Sequence, residues 1–302
     1  MIKGRVIQST GSWYHVDTGE EKIIESRLPG RFRLKEQQVT NPIAVGDWVD
    51  LSMNEDGTGS IEHIHERKNY ITRQATHGKR GEQILVSNLD AACVVQSIKK
   101  PKLKEGFIDR FLVTCEAYEV PPLIIINKMD LAKSGGIAFA EELTDLYQDL
   151  GYSIITTSIH DEASVEELKE FLTDKTSAFI GPSGVGKTSL INTIDPAWDF
   201  KVAAVSDYSN KGKHTTTFAR LIPLEIGGYI ADTPGIREFG LVDIEPWELS
   251  LYFPEMLEPR QHCKFHNCTH HHEPKCGVAE AFENGEIAAS RYHSYLNMLE
   301  SL

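Results

Sequence analysis

A mainly parallel α/β sheet, preceded by a small all-β barrel and followed by a helical metal-binding segment, is the fold class that the sequence predicts. Short β-rich runs fill the first seventy or so residues. Apolar strands alternate with amphipathic helices from about residue 88 to residue 236, which indicates a parallel sheet covered by helices. Three cysteines then crowd into a histidine-rich segment. We therefore expect domains over residues 1–72, 73–240 and 241–302.

The N-terminal region alternates strand patterns with Gly, Asn and Asp turn signals and shows no long helical period. The turn signal Asn54 to Gly57 lies between two of these patterns. This spacing fits a five-stranded barrel of the OB type, which commonly binds oligonucleotides on one face. The predicted strands cover residues 4–7, 13–16, 44–51 and 59–64.

In the central region, each motif with chemical meaning falls at the carboxyl end of a strand, where open α/β sheets bind ligands. Strands are predicted over residues 91–98, 123–126, 153–157 and 177–180, and a hairpin over 221–226 and 229–231. The helices are predicted over residues 107–118, 138–150 and 165–172, with a further helix that begins near Lys187.

Composition limits the possible partners and location of the chain of 302 residues. No run approaches the roughly 20 apolar residues of a membrane helix and no signal-peptide pattern opens the sequence, so we expect a cytoplasmic protein without a membrane partner.

The formal charge of −13 argues against wholesale coating of nucleic acid, but the charge is unevenly distributed. Residues 1–80 carry twelve Lys/Arg against eleven Asp/Glu, which leaves −14 on the other 222 residues. A local RNA-contacting face is expected at two basic clusters: Arg27, Arg31, Arg33 and Lys35, then Arg67, Lys68, Arg73, Lys79 and Arg80.

The phosphate-binding pattern GxxxxGK[ST] is matched by residues 181–188. Its glycines let the backbone wrap closely enough to aim successive N–H groups at the phosphates of a nucleotide. Lys187 adds a point charge, the following helix adds its positive end, and the hydroxyl of Thr188 can bind magnesium. The residues predicted to contact nucleotide here are Gly181, Pro182, Ser183, Gly184, Val185, Gly186, Lys187, Thr188 and Ser189.

Guanine selection is predicted at the Asn-Lys-Met-Asp motif, which directly follows an apolar strand. The carboxylate of Asp130 can accept from the ring N–H and the amine of guanine together, whereas adenine offers an acceptor at one of these positions. The side chain of Asn127 can bond the base and hold the loop, and the Lys128 stem can cover the ring face. The predicted contacts are Asn127, Lys128, Met129 and Asp130, with Thr157 and Ser158 of the next strand end as weaker candidates.

The order of these two motifs is unusual, because the guanine motif precedes the phosphate loop. In ordinary GTPases the phosphate loop comes first and the guanine motif comes last. The chain therefore has the pattern of a GTPase domain that has been cut and rejoined elsewhere. This order predicts a circularly permuted P-loop GTPase domain within an α/β fold.

The Asp-Thr-Pro-Gly segment after the hairpin is the predicted sensor of the γ-phosphate. Asp232 can reach magnesium through water, and the Gly235 N–H can meet the phosphate. The next residue is Ile236, whose aliphatic side chain cannot orient the attacking water as a glutamine does in many GTPases. His214 is the candidate catalytic residue, because an imidazole can align that water. The candidate magnesium ligands are Thr188, Asp232 and one of Thr215 and Thr216.

Four residues with the spacing C-x4-C-x-H-x5-C predict one structural zinc ion per chain: Cys263, Cys268, His270 and Cys276. Three thiolates and one imidazole suit tetrahedral zinc and leave no open position for catalysis. Other histidines of the stretch are alternative ligands: His262, His266, His271 and His272. A single helix is predicted over residues 278–299.

The chain resembles the ribosome small-subunit-dependent GTPase family, RsgA, nearly end to end. The resemblance lies in the order of the motifs behind a β-rich region: the guanine motif, GPSGVGKTS, KGKHTTT, DTPG and the Cys/His segment. The resemblance implies an OB-fold, a permuted GTPase domain and a C-terminal zinc domain. It implies a monomer that binds the small ribosomal subunit and its rRNA late in assembly. GTP hydrolysis, stimulated by the subunit, then permits release of the protein and of assembly factors. The resemblance also implies His214 as the catalytic histidine and His270 as the zinc ligand.

Two other hypotheses remain open at the level of the sequence. The first is a nucleotide-gated rRNA-binding placeholder that acts by occupying the subunit, with incidental hydrolysis. The second is a permuted GTPase of the large subunit, which the barrel and the Cys/His segment disfavour. A His214→Ala variant separates the enzyme from the placeholder, because only the enzyme hypothesis predicts that lost turnover blocks release.

Overall fold

The computed structural model describes residues 1–19, 22–29, 42–74, 82–199, 219–232 and 244–302. Several predicted residues lie outside these ranges: His214, Thr215, Thr216 and Gly235 of the nucleotide motifs, and Arg31, Arg33, Lys35, Lys79 and Arg80 of the basic clusters. Among the described helices, none has the length and apolar character needed to cross a membrane.

A closed five-stranded barrel of the OB type forms the N-terminal region. Its strands are β1 (Ile2–Ser9), β2 (Tyr14–Asp17), β3 (Ile23–Arg27), β4 (Trp48–Met53) and β5 (Gly59–Ile64). They follow one another as β1-β2-β3-β5-β4, and β4 closes the barrel by pairing with β1. Val6, Val49, Leu51 and Ile61 fill its interior and are fully buried. The barrel confirms the predicted fold of this region.

Strand β3 is the barrel strand that the sequence pattern does not predict. Ile24 and Ser26 point into the barrel, while Ile23, Glu25 and Arg27 are exposed. A serine at an inward position and an isoleucine at an outward one hide the alternation of apolar and polar residues by which a half-buried strand is recognised.

A hairpin of β6 (Tyr70–Gln74) and β7 (Glu82–Ser87) links the barrel to the central sheet. Arg67, just before this hairpin, donates from Nε and Nη2 to the two carboxylate oxygens of the fully buried Asp47, each at 2.7 Å. The Ser87 hydroxyl donates to the same carboxylate at 2.6 Å. Arg67 therefore belongs to the joint between barrel and hairpin, and the basic face expected here is smaller than the sequence suggested. The neighbouring Lys68 is exposed.

The central sheet has the order β10-β9-β8-β11-β13-β12 and is parallel except at β12. Its strands are β8 (Ala91–Ser97), β9 (Pro122–Asn127), β10 (Ser153–Thr156), β11 (Thr176–Ile180), β12 (Arg220–Pro223) and β13 (Tyr229–Asp232). The helices of this region are α1 (Glu105–Ala117), α2 (Ser134–Asp149), α3 (Glu162–Leu172) and α4 (Lys187–Ile194).

Helices α1 and α2 pack on one face of the sheet, and α3 and α4 pack on the other. Both faces are therefore covered, which explains why β8, β9 and β11 are buried almost throughout and each contain a continuous apolar run. This arrangement brings the carboxyl ends of β9, β10, β11 and β13, and with them the predicted motifs, to one edge of the sheet.

The barrel is joined to the central sheet by strand pairing and by a buried arginine. Gln8 of β1 pairs with Arg220 of β12, which makes the two sheets continuous. The Arg5 guanidinium donates to the Thr176 hydroxyl at 2.5 Å and to the Asn88 carbonyl at 2.7 Å. Burial lowers the pKa of Arg5 from its ordinary value, although nearby carboxylates oppose the shift.

The C-terminal segment is helical, but the predicted single helix over residues 278–299 is wrong. Two helices, α5 (Gly277–Glu283) and α6 (Ala289–Leu299), replace it and follow three short 3-10 turns. The break occurs at Asn284 and Gly285, where Asn284 ends α5 and Gly285 adopts a φ of 78°. A left-handed glycine after the last helical turn is a common way to end a helix.

The C-terminal segment is docked on α1 through a buried ionic network. Arg291 of α6 donates to Asp109 of α1 at 2.7 Å and to Glu255 at 2.6 Å. The Tyr147 hydroxyl of α2 donates to the same Asp109 at 2.8 Å. Burial acts to lower the pKa of Arg291, but the two carboxylates more than offset this effect and raise it. Because these groups are almost completely buried, the network fixes how the segment sits on the sheet.

Candidate nucleotide and metal sites

A cleft of about 570 Å³ lies at the carboxyl edge of the central sheet. The phosphate-loop residues form most of its wall, and the guanine motif and α1 contribute the rest. Its lining residues are Phe107, Lys128, Gly181, Pro182, Ser183, Gly184, Gly186, Lys187, Thr188 and Ser189. Nucleotide pockets are typically of this size and lie at this edge of α/β sheets.

Two glycines of the phosphate loop are required by close backbone approaches. A Cβ atom on Gly181 would lie 2.3 Å from the Val95 carbonyl oxygen, and one on Gly186 would lie 2.4 Å from Asn127 Nδ2. Both glycines also have positive φ, as does Gly184. The loop therefore folds tightly between the end of β8 and the guanine motif, and larger residues cannot replace the two glycines without displacing their neighbours.

Asn127 ties the guanine motif to the phosphate loop. Its side-chain amide donates to the Val185 carbonyl at 2.8 Å and accepts from the Thr157 hydroxyl at 3.1 Å. The residue is 2% exposed, so these bonds form away from water, where leaving them unmade is costly. The two motifs, 58 residues apart and in reversed order, are thus held together by one side chain.

Lys128 extends across the phosphate loop from a left-handed backbone position with a φ of 63°. Its ammonium group donates to the Gly184 carbonyl and, at 2.7 Å, to the Lys100 carbonyl. The aliphatic stem therefore spans the gap between guanine motif and phosphate loop, as expected for a stem that covers the face of a base. Met129 continues the motif through its N–H, which donates to the Thr157 carbonyl at 3.1 Å.

Asp130, the residue predicted to read guanine, is oriented by Ser158. The Ser158 hydroxyl donates to Asp130 Oδ1 at 2.8 Å. Ser158 is itself buried, whereas Asp130 is exposed. One carboxylate oxygen is therefore held in place while the other remains accessible. The structure thus gives Ser158 a positioning contact with Asp130, and it gives Thr157 a contact with Asn127.

Lys187 and Thr188 begin α4, whose N-terminus faces the cleft. The Lys187 ammonium group donates to the carbonyls of Gly181 at 2.7 Å and Pro182 at 2.8 Å, within its own loop. Thr188 and Ser189 are exposed in the cleft wall. A positive charge, the N-terminal end of a helix and a hydroxyl therefore meet at one place, which is the combination that a phosphate with its magnesium requires.

Asp232 ends β13 at the same edge of the sheet and forms an ion pair with Arg220. Arg220 Nη2 and Nε lie 2.7 and 2.8 Å from Asp232 Oδ2. Because Arg220 also pairs with Gln8 of the barrel, Asp232 is linked to the barrel through a single residue. The remaining residues of the Asp-Thr-Pro-Gly segment lie outside the described residues, so its predicted role toward magnesium and the γ-phosphate stays a prediction.

The predicted zinc ligands meet in the C-terminal segment. The ligand atoms of Cys263, Cys268, His270 and Cys276 all lie within 4.8 Å of one another, and the sulfurs of Cys263 and Cys276 are 3.8 Å apart. Three thiolates and one imidazole at this spacing fit tetrahedral zinc with four protein ligands. His270 is the histidine of the cluster, since its Nδ1 lies 3.4 Å from the Cys263 sulfur and 3.3 Å from the Cys276 sulfur.

The other nitrogen of His270 is held by a residue that sequence reasoning missed. His270 Nε2 lies 3.0 Å from the Ser250 hydroxyl, and Ser250 is fully buried. Burial lowers the pKa of His270 to about 4, with a further contribution from Arg260, so the imidazole is neutral and able to bind a metal. Outer partners of this kind orient metal-binding histidines. The sequence does not indicate this role for Ser250, because the residue lies thirteen positions before Cys263, the first cysteine of the cluster.

None of the competing histidines His262, His266, His271 and His272 belongs to the cluster. His262 lies 2.8 Å from Glu258 and is exposed, and the exposed rings of His271 and His272 stack on each other at 3.5 Å. Glu273 accepts from several N–H groups around the cluster, including that of Thr269 at 2.7 Å. These bonds shape the loop that presents His270.

The permuted order of the motifs on a P-loop sheet, together with the site that they form, defines a circularly permuted GTPase. Comparison with known proteins then gives the family. The RsgA GTPase family model matches residues 64–242, and the RsgA N-terminal domain model matches residues 3–61. The chain belongs to the RsgA family, as the motif order predicted.

Relatives match the chain over nearly its whole length. The small ribosomal subunit biogenesis GTPase RsgA of Phocaeicola vulgatus is 46% identical over 99% of this chain and 96% of its own. The crystal structure of YjeQ from Thermotoga maritima is similar, with a TM-score of 0.81, 38% identity and coverage of 99% of this chain and 98% of that one. The structure of YloQ, described as a circularly permuted GTPase, has a TM-score of 0.78, 31% identity and coverage of 100% and 94%.

Proposed function

We propose that this protein binds GTP with magnesium and hydrolyses it to GDP and phosphate during maturation of the small ribosomal subunit. The observation that carries the proposal is the hydrogen bond from Asn127 to Val185, because it joins a guanine motif to a phosphate loop in one cleft despite their reversed order. The printed names of the relatives support the biological task, since they are small ribosomal subunit biogenesis GTPases.

In this proposal each motif contacts a different part of the nucleotide. Asp130 accepts from guanine while Lys128 covers the ring. Lys187 and the N–H groups of residues 181–189 bind the phosphates. Thr188 and Asp232 hold magnesium together with Thr215 or Thr216, and the Gly235 N–H meets the γ-phosphate. His214 aligns the attacking water, since Ile236 cannot.

The proposed cycle follows from the resemblance to the family. GTP favours docking of a monomer on the small subunit and its rRNA in the cytoplasm. The subunit stimulates hydrolysis, and hydrolysis permits release of the protein and of assembly factors. We also propose that the division into residues 1–72, 73–240 and 241–302 reflects three functional parts: an RNA-binding barrel, the GTPase domain and a zinc-binding domain.

Zinc has a structural role in this proposal. The four ligands Cys263, Cys268, His270 and Cys276 leave no position for substrate, so the ion supplies cross-linking of the C-terminal segment and no step of hydrolysis. Because the ligands lie on separate turns before α5, the ion stabilises the loop that they enclose.

Two measurements test the proposal. Calorimetry with GTP and ATP on the purified protein should show binding of GTP and at least about 100-fold weaker binding of ATP, the range of discrimination reached by sites built to hydrogen-bond a substrate. Equal affinities would refute the assignment of the cleft. Co-sedimentation with separated ribosomal subunits should show binding to the small subunit that is stronger with a non-hydrolysable GTP analogue than with GDP.

The His214→Ala variant then separates an enzyme from a placeholder with incidental hydrolysis. The proposed enzyme should retain GTP affinity, lose subunit-stimulated turnover and remain bound to small subunits. Normal release and normal subunit maturation with this variant would favour the placeholder instead.

A further inference from the structure

Four lysines form a compact basic loop at the rim of the nucleotide cleft, between β8 and α1. Lys99, Lys100, Lys102 and Lys104 occupy four of six consecutive positions, and all four are exposed. We call residues 99–104 the lysine loop. It lies in the part of the chain, outside residues 1–80, that carries a net charge of −14, so its charge is locally exceptional.

The four lysine ammonium groups form no ion pair with the described residues of the chain. The acid that directly follows the loop is Glu105, the first residue of α1; burial raises the pKa of its carboxyl, while a hydrogen bond with Ser290 and the charge of Lys102 act to lower it. Four cations within a few residues therefore present a strong local positive potential.

The backbone of the lysine loop is held firmly at several points. The Ser97 hydroxyl donates to the Pro101 carbonyl at 2.7 Å, and the Lys104 N–H donates to the Gln96 side chain at 3.3 Å. Leu103 is buried and anchors the loop in the core beneath α1. A loop fixed in this way loses little entropy when it binds a partner.

The lysine loop also contacts the nucleotide cleft directly. The Lys100 carbonyl accepts from Lys128 Nζ at 2.7 Å, and Lys128 donates to the Gly184 carbonyl of the phosphate loop as well. The Ile98 N–H donates to the Asn127 carbonyl at 3.0 Å. Lys100 of the loop is thus bonded to the second residue of the guanine motif, and Ile98, which directly precedes the loop, is bonded to the first, so a displacement of the loop would move groups that line the cleft.

We propose that the lysine loop binds the phosphate backbone of RNA on the small ribosomal subunit and holds the rim of the nucleotide cleft against it. The inference rests on the proposed function and adds a contact surface to it. Closely spaced, uncompensated cations on an otherwise acidic protein suit a polyanion with regularly spaced charges, and RNA is the polyanion that the proposed task supplies. Contacts of this kind fix position and do not read sequence.

The test compares two double variants with the same change in charge. The first, Lys99→Gln with Lys102→Gln, removes two charges from the lysine loop. The control, Lys169→Gln with Lys175→Gln, removes one lysine from α3, which lies on the side of the sheet opposite to α1, and one lysine directly before β11. Small-subunit-stimulated GTP hydrolysis is measured for both against subunit concentration at several salt concentrations, together with hydrolysis by the protein alone.

The loop variant should need about tenfold more subunits for half-maximal stimulation at low salt, and the salt dependence of binding should weaken by about one unit of slope for each lysine that contacts a phosphate. Hydrolysis without subunits should stay unchanged, because neither side chain lines the cleft. Equal behaviour of the loop variant and the control would overturn the proposal.

Two further outcomes are distinct. If the wild-type protein is not stimulated by small subunits, the proposed function itself fails. If the loop variant loses binding to vesicles rich in anionic phosphatidylglycerol while its response to subunits matches the control, the loop binds a lipid surface and the RNA proposal is overturned.

Discussion

Replacement of Gly186 by alanine tests whether Asn127 holds the nucleotide cleft together. The new Cβ would lie 2.4 Å from Asn127 Nδ2, so Asn127 must move away from the Val185 carbonyl that it contacts at 2.8 Å. The left-handed backbone of Gly186, with a φ of 100°, adds a cost of about 1–2 kcal/mol for a residue with a side chain. Loss of the buried hydrogen bond adds about 1–3 kcal/mol.

Gly184→Ala is the matched control, because Gly184 is in the same loop with a φ of 83° but its Cβ would meet nothing closer than 3.9 Å. The two variants share the backbone cost, so the difference between them isolates the Asn127 contact. We expect GTP affinity, measured by calorimetry, to be about 5- to 150-fold weaker for Gly186→Ala than for Gly184→Ala, since each 1.4 kcal/mol is a factor of ten. Equal affinities, with both variants folded by circular dichroism, would refute the role given to Asn127.

Three other perturbations have defined outcomes. Asp130→Asn should weaken GTP binding at least about 100-fold, because charge-assisted hydrogen bonds to guanine are lost. The same variant should bind xanthosine triphosphate better, since the base of that nucleotide has a carbonyl in place of the guanine amine. Calorimetry with both nucleotides measures these effects. His270→Ala should abolish the bound zinc measured by atomic absorption and lower the melting temperature, as a strong chelator should for the wild type. Arg291→Met should destabilise the protein by about 3–5 kcal/mol in urea unfolding, because Asp109 and Glu255 are left buried without their partner.

Residues of the same types outside these sites serve as controls. Asp145→Asn on α2 should leave nucleotide preference unchanged, and His271→Ala should leave zinc content unchanged because its exposed ring stacks on His272 and is not part of the cluster. Arg110→Met removes an arginine from α1 whose partner is the exposed Ser301 hydroxyl, so its effect on stability should stay below about 1 kcal/mol. An effect of the Asp130, His270 or Arg291 variant no larger than that of its control would contradict the corresponding assignment.

That the guanine motif and the phosphate loop meet at one cleft could be predicted from the sequence, because each is a short contiguous motif at the end of a strand. The sheet brings the loops of Asn127 and Lys187 together as expected, while their contacts with nucleotide stay predictions. The partners of Lys128 could not be found in this way. They are the backbone carbonyls of Lys100 and Gly184, and a carbonyl carries no signal of residue type.

Features that depend on tertiary packing were also beyond reach of the pattern. The break at Gly285 interrupts an apolar period that continues on both sides, so two helices have the pattern of one. Arg67 has the pattern of a surface charge until the fold brings the buried Asp47 against it. Ser250 becomes a partner of His270 only through the 3-10 turns that fold back over the cysteines.

The Arg291 network makes α1 a rigid connection between the lysine loop and the C-terminal segment. One end of this helix follows the lysine loop, and its body carries the C-terminal segment through Asp109. Thirteen helical residues span about 20 Å and resist bending. Helix α1 therefore fixes the distance between the lysine loop and the zinc cluster. Any surface that contacts both must have binding positions separated by that distance.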